Sequence, residues 1–368
     1  MNLKHFLLLL PAAVIAGVVF GQGPLTPPGA PAPAMKSLDQ VEPRTPISSL
    51  PFTISQGGSY YLTRSLSVAS GDAITITAND VTLDLGGFTL SSMATAPGSG
   101  TAVLLTNSKP ENIAIRNGHI RSTTILAGGI FSKGGFQNGI GSSAAPNDST
   151  VQVSDVNIAG VAEAGIYLLS FGNALVERCS VRTSGGRGIA GAVIRHCSVT
   201  AAWTTALEGR VISHSVGRCE GNNVNDTSPA IKAEIVECCE GVSTVGAGIA
   251  GTVVSNSIGT SSSNFGIYAS TSAINCSGTS SSSFGIRAAN ATNCEGKSAS
   301  QLGMDVDRNA TNCYGESGSG PFGLYVQGTA SFCRGRRTGG IAISAGIAVG
   351  CTVSAGTVQS AQKHLGTP

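Results

Sequence analysis

The chain has 368 residues, of which 50 are glycine, 11% are charged and 5% are aromatic. Small side chains and poor helix formers dominate, and no long segment has the apolar spacing of an amphipathic helix, so the composition predicts an all-β fold. The formal net charge is only +2, and the 22 Lys and Arg residues are scattered along the chain. This distribution argues against a nucleic-acid partner.

The amino-terminal segment has the pattern of an export signal. Lys4 and His5 precede an apolar run from Phe6 to Phe20, which is short for a membrane-spanning helix and ends at small residues around Gly21. We therefore predict a signal peptide at residues 1–21 and a Pro-rich linker at residues 22–45. The mature protein is expected to be periplasmic, cell-surface or secreted, without a membrane span.

The next segments alternate apolar and polar residues, as half-buried strands do. "VTLDLGGFTL", from Val81 to Leu90, matches "IAIRNGHI" from Ile113 and, more loosely, "VQVSDVNI" from Val151. Gly/Ser/Pro-rich insertions at residues 91–110 and 121–150 separate these copies, and such insertions often form binding sites. The bulkier residues 46–75 are predicted to cap the first coil, because an open end would invite edge-to-edge association.

A column of small residues recurs at short intervals through the second half of the chain. Its steps are 18 to 20 residues, with one step of 24, and its members are Cys179, Cys197, Ser215, Cys239, Ser257, Cys276, Cys294, Cys313, Cys333 and Cys351. A small residue followed by an aliphatic one, as in Gly266-Ile267, lies nine or ten residues ahead of the eight members from Cys197 to Cys333. Units this short cannot bury their apolar side alone, so stacking into a β-solenoid over residues 76–355 is predicted, followed by a polar tail at 356–368.

Asparagine recurs just before this column, at Asn256, Asn275, Asn293 and Asn312. Asn tolerates left-handed backbone geometry, and stacked amides can hydrogen-bond along the axis, so a structural ladder is predicted. The same position holds His196 and His214 in earlier coils, which we expect to stack on the surface; the alternative is a metal shared with Cys238. The cysteines are predicted to be mostly buried thiols, with disulfides between coils as the alternative.

"ITITANDVTLDLGGFTL", together with the glycine-aliphatic coils, resembles bacterial right-handed parallel β-helix proteins of the pectate-lyase-like superfamily. "PFTISQGGSYYLTRSL" is similar to the lead-in of many exported members. The resemblance spans about residues 46–355 and implies a right-handed single-stranded parallel β-helix. It does not select an activity, because the superfamily includes polysaccharide lyases, glycoside hydrolases, epimerases, adhesins and proteins with no known reaction.

The residue after each glycine-aliphatic pair should point outward, since side chains alternate along a strand. Aromatic rings stack on sugar rings and charged groups bind hydroxyls or carboxylates, so this row is the predicted carbohydrate site. Ala250 interrupts the row. The predicted contacts are Lys232, Tyr268, Arg287, Tyr325 and, two residues beyond the last, Gln327.

Asp305 and Asp307 are the predicted catalytic pair if the protein is an enzyme. Two residues apart on one strand, their backbones would lie about 6.5 to 7 Å apart, near the lower end of the carboxylate spacing of inverting glycosidases. The alternative is that Asp305 forms an ion pair with Arg287 across the coils. We predict no cofactor and no metal site; calcium would be required only by a lyase, and the acidic residues are too sparse to form its site.

Three functions follow in order of preference. The first is a non-catalytic, monomeric scaffold that binds polysaccharide or a cell-surface glycan. The second is a polysaccharide lyase or glycoside hydrolase. The third is adhesion or self-assembly through an uncapped end of the solenoid near Cys351.

Overall fold

The computed structural model describes residues 43–142, 149–168, 172–220 and 227–364. The predicted signal peptide and nearly all of the predicted linker lie outside the described residues. Within the described ranges every regular element is a β-strand, and none is a helix that could cross a membrane.

The first twelve strands are β1 (Thr45–Ile47), β2 (Phe52–Ile54), β3 (Gly58–Leu62), β4 (Leu66–Val68), β5 (Ile74–Ile76), β6 (Val81–Asp84), β7 (Thr89–Ser92), β8 (Thr101–Leu105), β9 (Ile113–Arg121), β10 (Ile125–Ala127), β11 (Ile130–Ser132) and β12 (Asn138–Ser142). The next twelve are β13 (Thr150–Val161), β14 (Ala164–Tyr167), β15 (Asn173–Glu177), β16 (Ser180–Ser184), β17 (Ile189–Ala190), β18 (Val193–Arg195), β19 (Ser198–Ala202), β20 (Leu207–Glu208), β21 (Val211–Ser213), β22 (Val216–Cys219), β23 (Ile231–Glu237) and β24 (Glu240–Ser243). The last eleven are β25 (Ile249–Ser255), β26 (Ile258–Ser261), β27 (Ile267–Ile274), β28 (Ser277–Ser280), β29 (Ile286–Thr292), β30 (Glu295–Ser298), β31 (Met304–Thr311), β32 (Tyr314–Ser317), β33 (Phe322–Ser331), β34 (Arg334–Val349) and β35 (Thr352–His364).

These strands form a parallel β-solenoid of about 16 turns, which confirms the predicted fold class. Each turn contributes to three ladders of parallel strands. Ladder 1 contains the strands that begin at the glycine-aliphatic pairs. Ladder 2 contains the strands just before the cysteine column, and ladder 3 contains the strands just after it. Only β10 and β11 depart from this arrangement, as an antiparallel hairpin inside the predicted insertion 121–150. The handedness remains an implication of the sequence resemblance.

Parallel strand pairing extends into the segments predicted as the cap and the polar tail. β1 to β5, within or beside the predicted cap 46–75, already pair in parallel with later strands. At the other end, β35 pairs with β34 through His364, which lies within the segment predicted as a polar tail.

The interior changes in side-chain size along the axis. Ladder 2 presents Ile194 and Ile212 to the core in successive turns, but Ala273 and Ala291 further along. Ladder 3 changes in the same direction, from Val181 and Val199 to glycine from Gly217 onward. The cross-section is therefore filled by side chains in the early turns and by close backbone contact in the later ones.

Glycines on facing strands make this close contact possible. A Cβ at Gly278 on ladder 3 would lie within 3.0 Å of the carbonyl oxygen of Gly285, and a Cβ at Gly285 would collide with the backbone of Lys297. In earlier turns only one of the two facing strands carries glycine. There, the methyl groups of Val181 on ladder 3 fill the space that a Cβ at Gly165 would occupy. Strand glycines usually mark such close backbone approaches.

The corner between ladders 2 and 3 has one residue with positive φ in almost every turn. The Asn256, Asn275, Asn293 and Asn312 backbones have φ from 49° to 54°, and Asn275 Nδ2 donates to Asn256 Oδ1 at 3.0 Å. Asn293 Nδ2 likewise donates to Asn275 Oδ1 at 3.1 Å. The predicted asparagine ladder is confirmed. His196 and His214 occupy the same corner and stack with ring centroids 5.1 Å apart, also as predicted.

The cysteine column points inward, and all ten cysteines are thiols. Cys239 Sγ, for example, lies 3.5 Å from the carbonyl oxygen of Ile212 in the preceding turn. Ser257 replaces cysteine in the next turn and donates to the Ser255 carbonyl. Burial raises the pKa of Cys239 to about 11, which describes a small core residue and not a reactive thiolate.

Candidate functional site

The outer face of ladder 1 carries the predicted carbohydrate site in the predicted register. Lys232 pairs with Ala250, which pairs with Tyr268, and Tyr268 pairs with Arg287. The row continues through Asp305 to Tyr325. Adjacent turns are about 4.8 Å apart, so this row places Tyr268 and Tyr325 about 14 Å apart along the axis.

A depression of about 340 Å³ interrupts this row at Ala250. Ala250, Gly251 and Thr252 form its floor, because their small side chains leave the strand surface low between taller neighbours. Lys232 and Tyr268 stand on opposite sides of it. The depression therefore combines an apolar floor, an aromatic wall and a charged wall, which is the usual composition of a small-ligand site.

Neighbouring contacts hold both walls in place. Lys232 Nζ donates to Glu208 Oε1 at 3.2 Å, and Glu208 also accepts from Arg187 Nε at 2.9 Å. The Tyr268 ring stacks on Phe265 with centroids 5.8 Å apart and planes at 26°. Because the walls are fixed before any ligand arrives, little side-chain entropy remains to be lost on binding.

The second tyrosine is held in the same way. Tyr325 stacks on Phe322, with centroids 5.5 Å apart and planes at 18°. Gln327 is exposed two residues further along β33. Both lie on the ladder 1 face, but outside the depression around Ala250.

Asp305 and Asp307 both lie on β31, and Asp305 is the more buried of the two. Arg287 Nε lies 3.6 Å from Asp305 Oδ2, which confirms the ion pair predicted as the alternative to catalysis. Burial raises the pKa of Asp305, the Arg287 charge opposes this, and the neighbouring charge of Asp307 adds to it. Asp305 is thus shielded by its environment, whereas Asp307 faces solvent.

Among the described residues, no group of three His, Cys, Asp or Glu side chains is arranged to hold a metal ion. His196, His214 and Cys238, the metal set considered from the sequence, therefore do not form such a group. Cys238 is exposed at the corner, one turn beyond His214.

A larger groove, of about 730 Å³, lies on ladder 3 and was not predicted. Its charged and titratable side chains are His119, Arg121 and Arg182. The sequence signal is an outward Arg directly after an interior aliphatic residue, as in Ile120-Arg121 and Val181-Arg182. Insertions of unequal length hide the fact that these two residues belong to one row.

No protein-family model matches the chain, and no curated protein is significantly similar to it. Two solved structures from Azotobacter vinelandii show similarity to this chain. The A-module of mannuronan C-5 epimerase AlgE6 matches with 11% identity, 84% of this chain and 89% of the module covered, and a TM-score of 0.31. The AlgE4 A-module matches with 10% identity, 85% and 88% coverage and a TM-score of 0.33. Values this low carry no argument about activity.

Proposed function

We propose that this protein is a non-catalytic polysaccharide-binding scaffold that holds a sugar chain on the outer face of ladder 1. The observation that carries the proposal is the depression over Ala250 and Gly251, walled by Tyr268 and Lys232. A sugar ring in it would place its C–H face against the tyrosine and its hydroxyls near Lys232 and Glu208. The proposal includes export as a monomer after removal of the predicted signal peptide.

The remainder of the row supports a chain-like ligand. Arg287, Tyr325 and Gln327 continue the face beyond the depression, and the parallel strands keep their spacing constant. A polysaccharide running along the axis would meet an aromatic ring at Tyr268 and another three turns later at Tyr325. Repeated weak contacts of this kind add up along one ligand.

Hydrolysis or lyase chemistry at Asp305 and Asp307 is the second candidate, favoured by one observation. Burial raises the pKa of Asp305, as a general acid requires, while Asp307 remains exposed and able to act as base. Against it stands the Arg287 charge, which favours the ionised form of Asp305. The binding role is therefore preferred.

Affinity electrophoresis of the mature protein through gels containing acidic or neutral polysaccharides tests the binding role. We expect retention by at least one glycan, and loss of most of that retention in Tyr268→Ala and Lys232→Gln. Tyr314→Ala is the matched control, because Tyr314 is a surface tyrosine on ladder 3 that stacks with Arg334. Equal loss in all three variants, or retention by no glycan, would contradict the proposal.

The same glycans test the enzyme candidate in solution, with and without calcium. Ultraviolet absorbance reports unsaturated products, and reducing-end assays report hydrolysis. Product formation that disappears in Asp305→Asn and Asp307→Asn would replace the binding role with catalysis. Absence of product together with retention would leave the scaffold.

A further inference from the structure

We propose that the ladder 3 groove is a second binding site, specific for a polysaccharide that carries carboxylate groups. It involves none of the residues of the ladder 1 depression, so it stands or falls independently of the function proposed above. The groove has twice the volume of that depression, about 730 Å³ against about 340 Å³.

The groove is built by outward side chains of successive turns. Arg121 pairs with Ala159, Ala159 with Arg182, and Arg182 with Thr200. Two strand spacings place the backbones of Arg121 and Arg182 about 10 Å apart along the axis, with the short Ala159 side chain between them. The two guanidinium groups therefore flank a low surface on which a chain could lie.

A parallel row supplies neutral hydrogen-bonding groups. His119 pairs with Asn157, Asn157 with Ser180, and Ser180 with Ser198. Hydroxyl and amide groups of this kind can both donate to and accept from sugar hydroxyls. One row would bind charge while the row beside it binds hydroxyls, as a polymer of acidic sugars requires.

The two arginines have no carboxylate partner among the described residues. The nearest corner acid, Asp155, is already held by Arg178, whose Nε and second guanidinium nitrogen donate to its two oxygens at 2.8 and 2.9 Å. Arg178 accordingly holds the pKa of Asp155 below its usual value. No acidic residue lines the groove.

Most cations on later turns of the same face are paired with acids. There Arg218 bonds Glu240 at 2.7 Å, Lys297 bonds Glu295 at 2.7 Å, and Arg336 bonds Glu316. Each of these cations is neutralised within the protein, whereas Arg121 and Arg182 keep their charge for a ligand. Arg334, another cation of these later turns, lies over the Tyr314 ring at 5.8 Å from its centroid. The groove therefore differs from these turns in presenting two arginines with neither an acid nor an aromatic partner.

The lining also favours a glycan over nucleic acid. Single-stranded nucleic acids are usually bound by aromatic rings on which bases stack, and the groove contains no Phe, Tyr or Trp.

The β10–β11 hairpin leaves the solenoid just after Arg121 and lies along the turns that follow ladder 3. Lys133 bonds Glu163 at 2.6 Å, and Phe131 packs edge-on against Trp203 with centroids 5.3 Å apart. These contacts hold the hairpin against the residues that follow ladder 3.

Affinity electrophoresis with polygalacturonate tests the assignment, with its methyl ester as the uncharged counterpart of the same backbone. We expect retention by the acid and weak retention by the ester. Removing two charged contacts in Arg121→Gln/Arg182→Gln should weaken retention about tenfold or more. Arg336→Gln, an equally exposed but internally paired arginine, should change it little, and Arg182→Lys should keep more of it than Arg182→Gln.

Four results would overturn the site: no retention by polygalacturonate, unchanged retention in the double variant, an equal loss in Arg336→Gln, or equal binding of a duplex oligonucleotide, which would assign the face to any polyanion. Thermal unfolding of each variant checks that the fold is intact. Tyr268→Ala, run in parallel, reports on ladder 1 alone, so failure of one site is distinguishable from failure of the other.

Discussion

The early turns, residues 81–200, and the late turns, residues 231–349, share one coil architecture but differ in their interiors and in their surface charges. The early core is filled by Ile and Val, and its turns carry insertions and unpaired surface arginines. The late core keeps one large aliphatic residue per turn on ladder 1, such as Ile267, but is reduced largely to Ala and Gly on ladders 2 and 3. Its turns are nearly constant in length, and the ladder 3 cations Lys297 and Arg336 are paired with acids. Regular stacking thus accompanies smaller side chains on ladders 2 and 3. The ladder 3 groove lies where coil length varies, whereas the ladder 1 depression arises within regular turns from the small side chains at Ala250 and Gly251.

The largest expected effect is a cavity in an early turn. Ile194 is fully buried, so Ile194→Ala should destabilise the protein by about 3 kcal/mol through lost apolar burial and the remaining void. Urea unfolding followed by circular dichroism measures this change. Val193→Ala, at a partly exposed position on the same strand, should cost much less; equal costs would mean that the early core is not packed as described.

The opposite change, adding a side-chain atom to the core, should destabilise a late turn. Gly278→Ala adds a Cβ within 3.0 Å of the Gly285 carbonyl oxygen, and forcing these backbones apart should cost about 2 kcal/mol. Gly141→Ala is the matched control, because the nearest atom to its added Cβ is 3.7 Å away. If both substitutions were neutral in urea unfolding, the facing glycines would not be in close contact.

The asparagine ladder should contribute less than either core. Asn275→Ala places a side chain that disfavours left-handed geometry at φ 54° and removes two ladder hydrogen bonds, so a loss of about 1–2 kcal/mol is expected. Asn275→Gly removes the same amide but accepts the backbone, and should lose less. A greater loss for glycine in thermal unfolding would assign the column to side-chain bonding alone.

The smallest expected effect concerns Asp305. Its pKa is raised in the folded protein, mainly by burial, so stability is fully present below the unfolded pKa and is lost as pH rises through the folded pKa. Asp305→Asn should escape this loss and gain slightly on the wild type as pH rises above the ordinary Asp pKa of about 4. Asp307→Asn, at an exposed position, is the control; a gain that is independent of pH would contradict the burial argument.

The sequence predicted what repeats and missed what varies. The inward column around Cys276 and the outward register from Lys232 to Tyr325 could be read because each late turn repeats the same short pattern. The depression was not predicted from the sequence, because it results from the small size of Ala250 and Gly251 between larger neighbours. The groove escaped because insertions of different lengths separate Arg121 from Arg182, and only the strand register shows that they share a row.

The most direct test of the two-site account is hydroxyl-radical footprinting of the full mature protein with and without polygalacturonate. The account predicts slower oxidation of His119 in the ladder 3 groove when polygalacturonate is added. It predicts slower oxidation of Tyr268 on ladder 1 when the glycan retained by that face is added, while Tyr314, on the late part of ladder 3, oxidises at an unchanged rate in both cases. Unchanged rates at both Tyr268 and His119, or an equal decrease at all three residues, would contradict it.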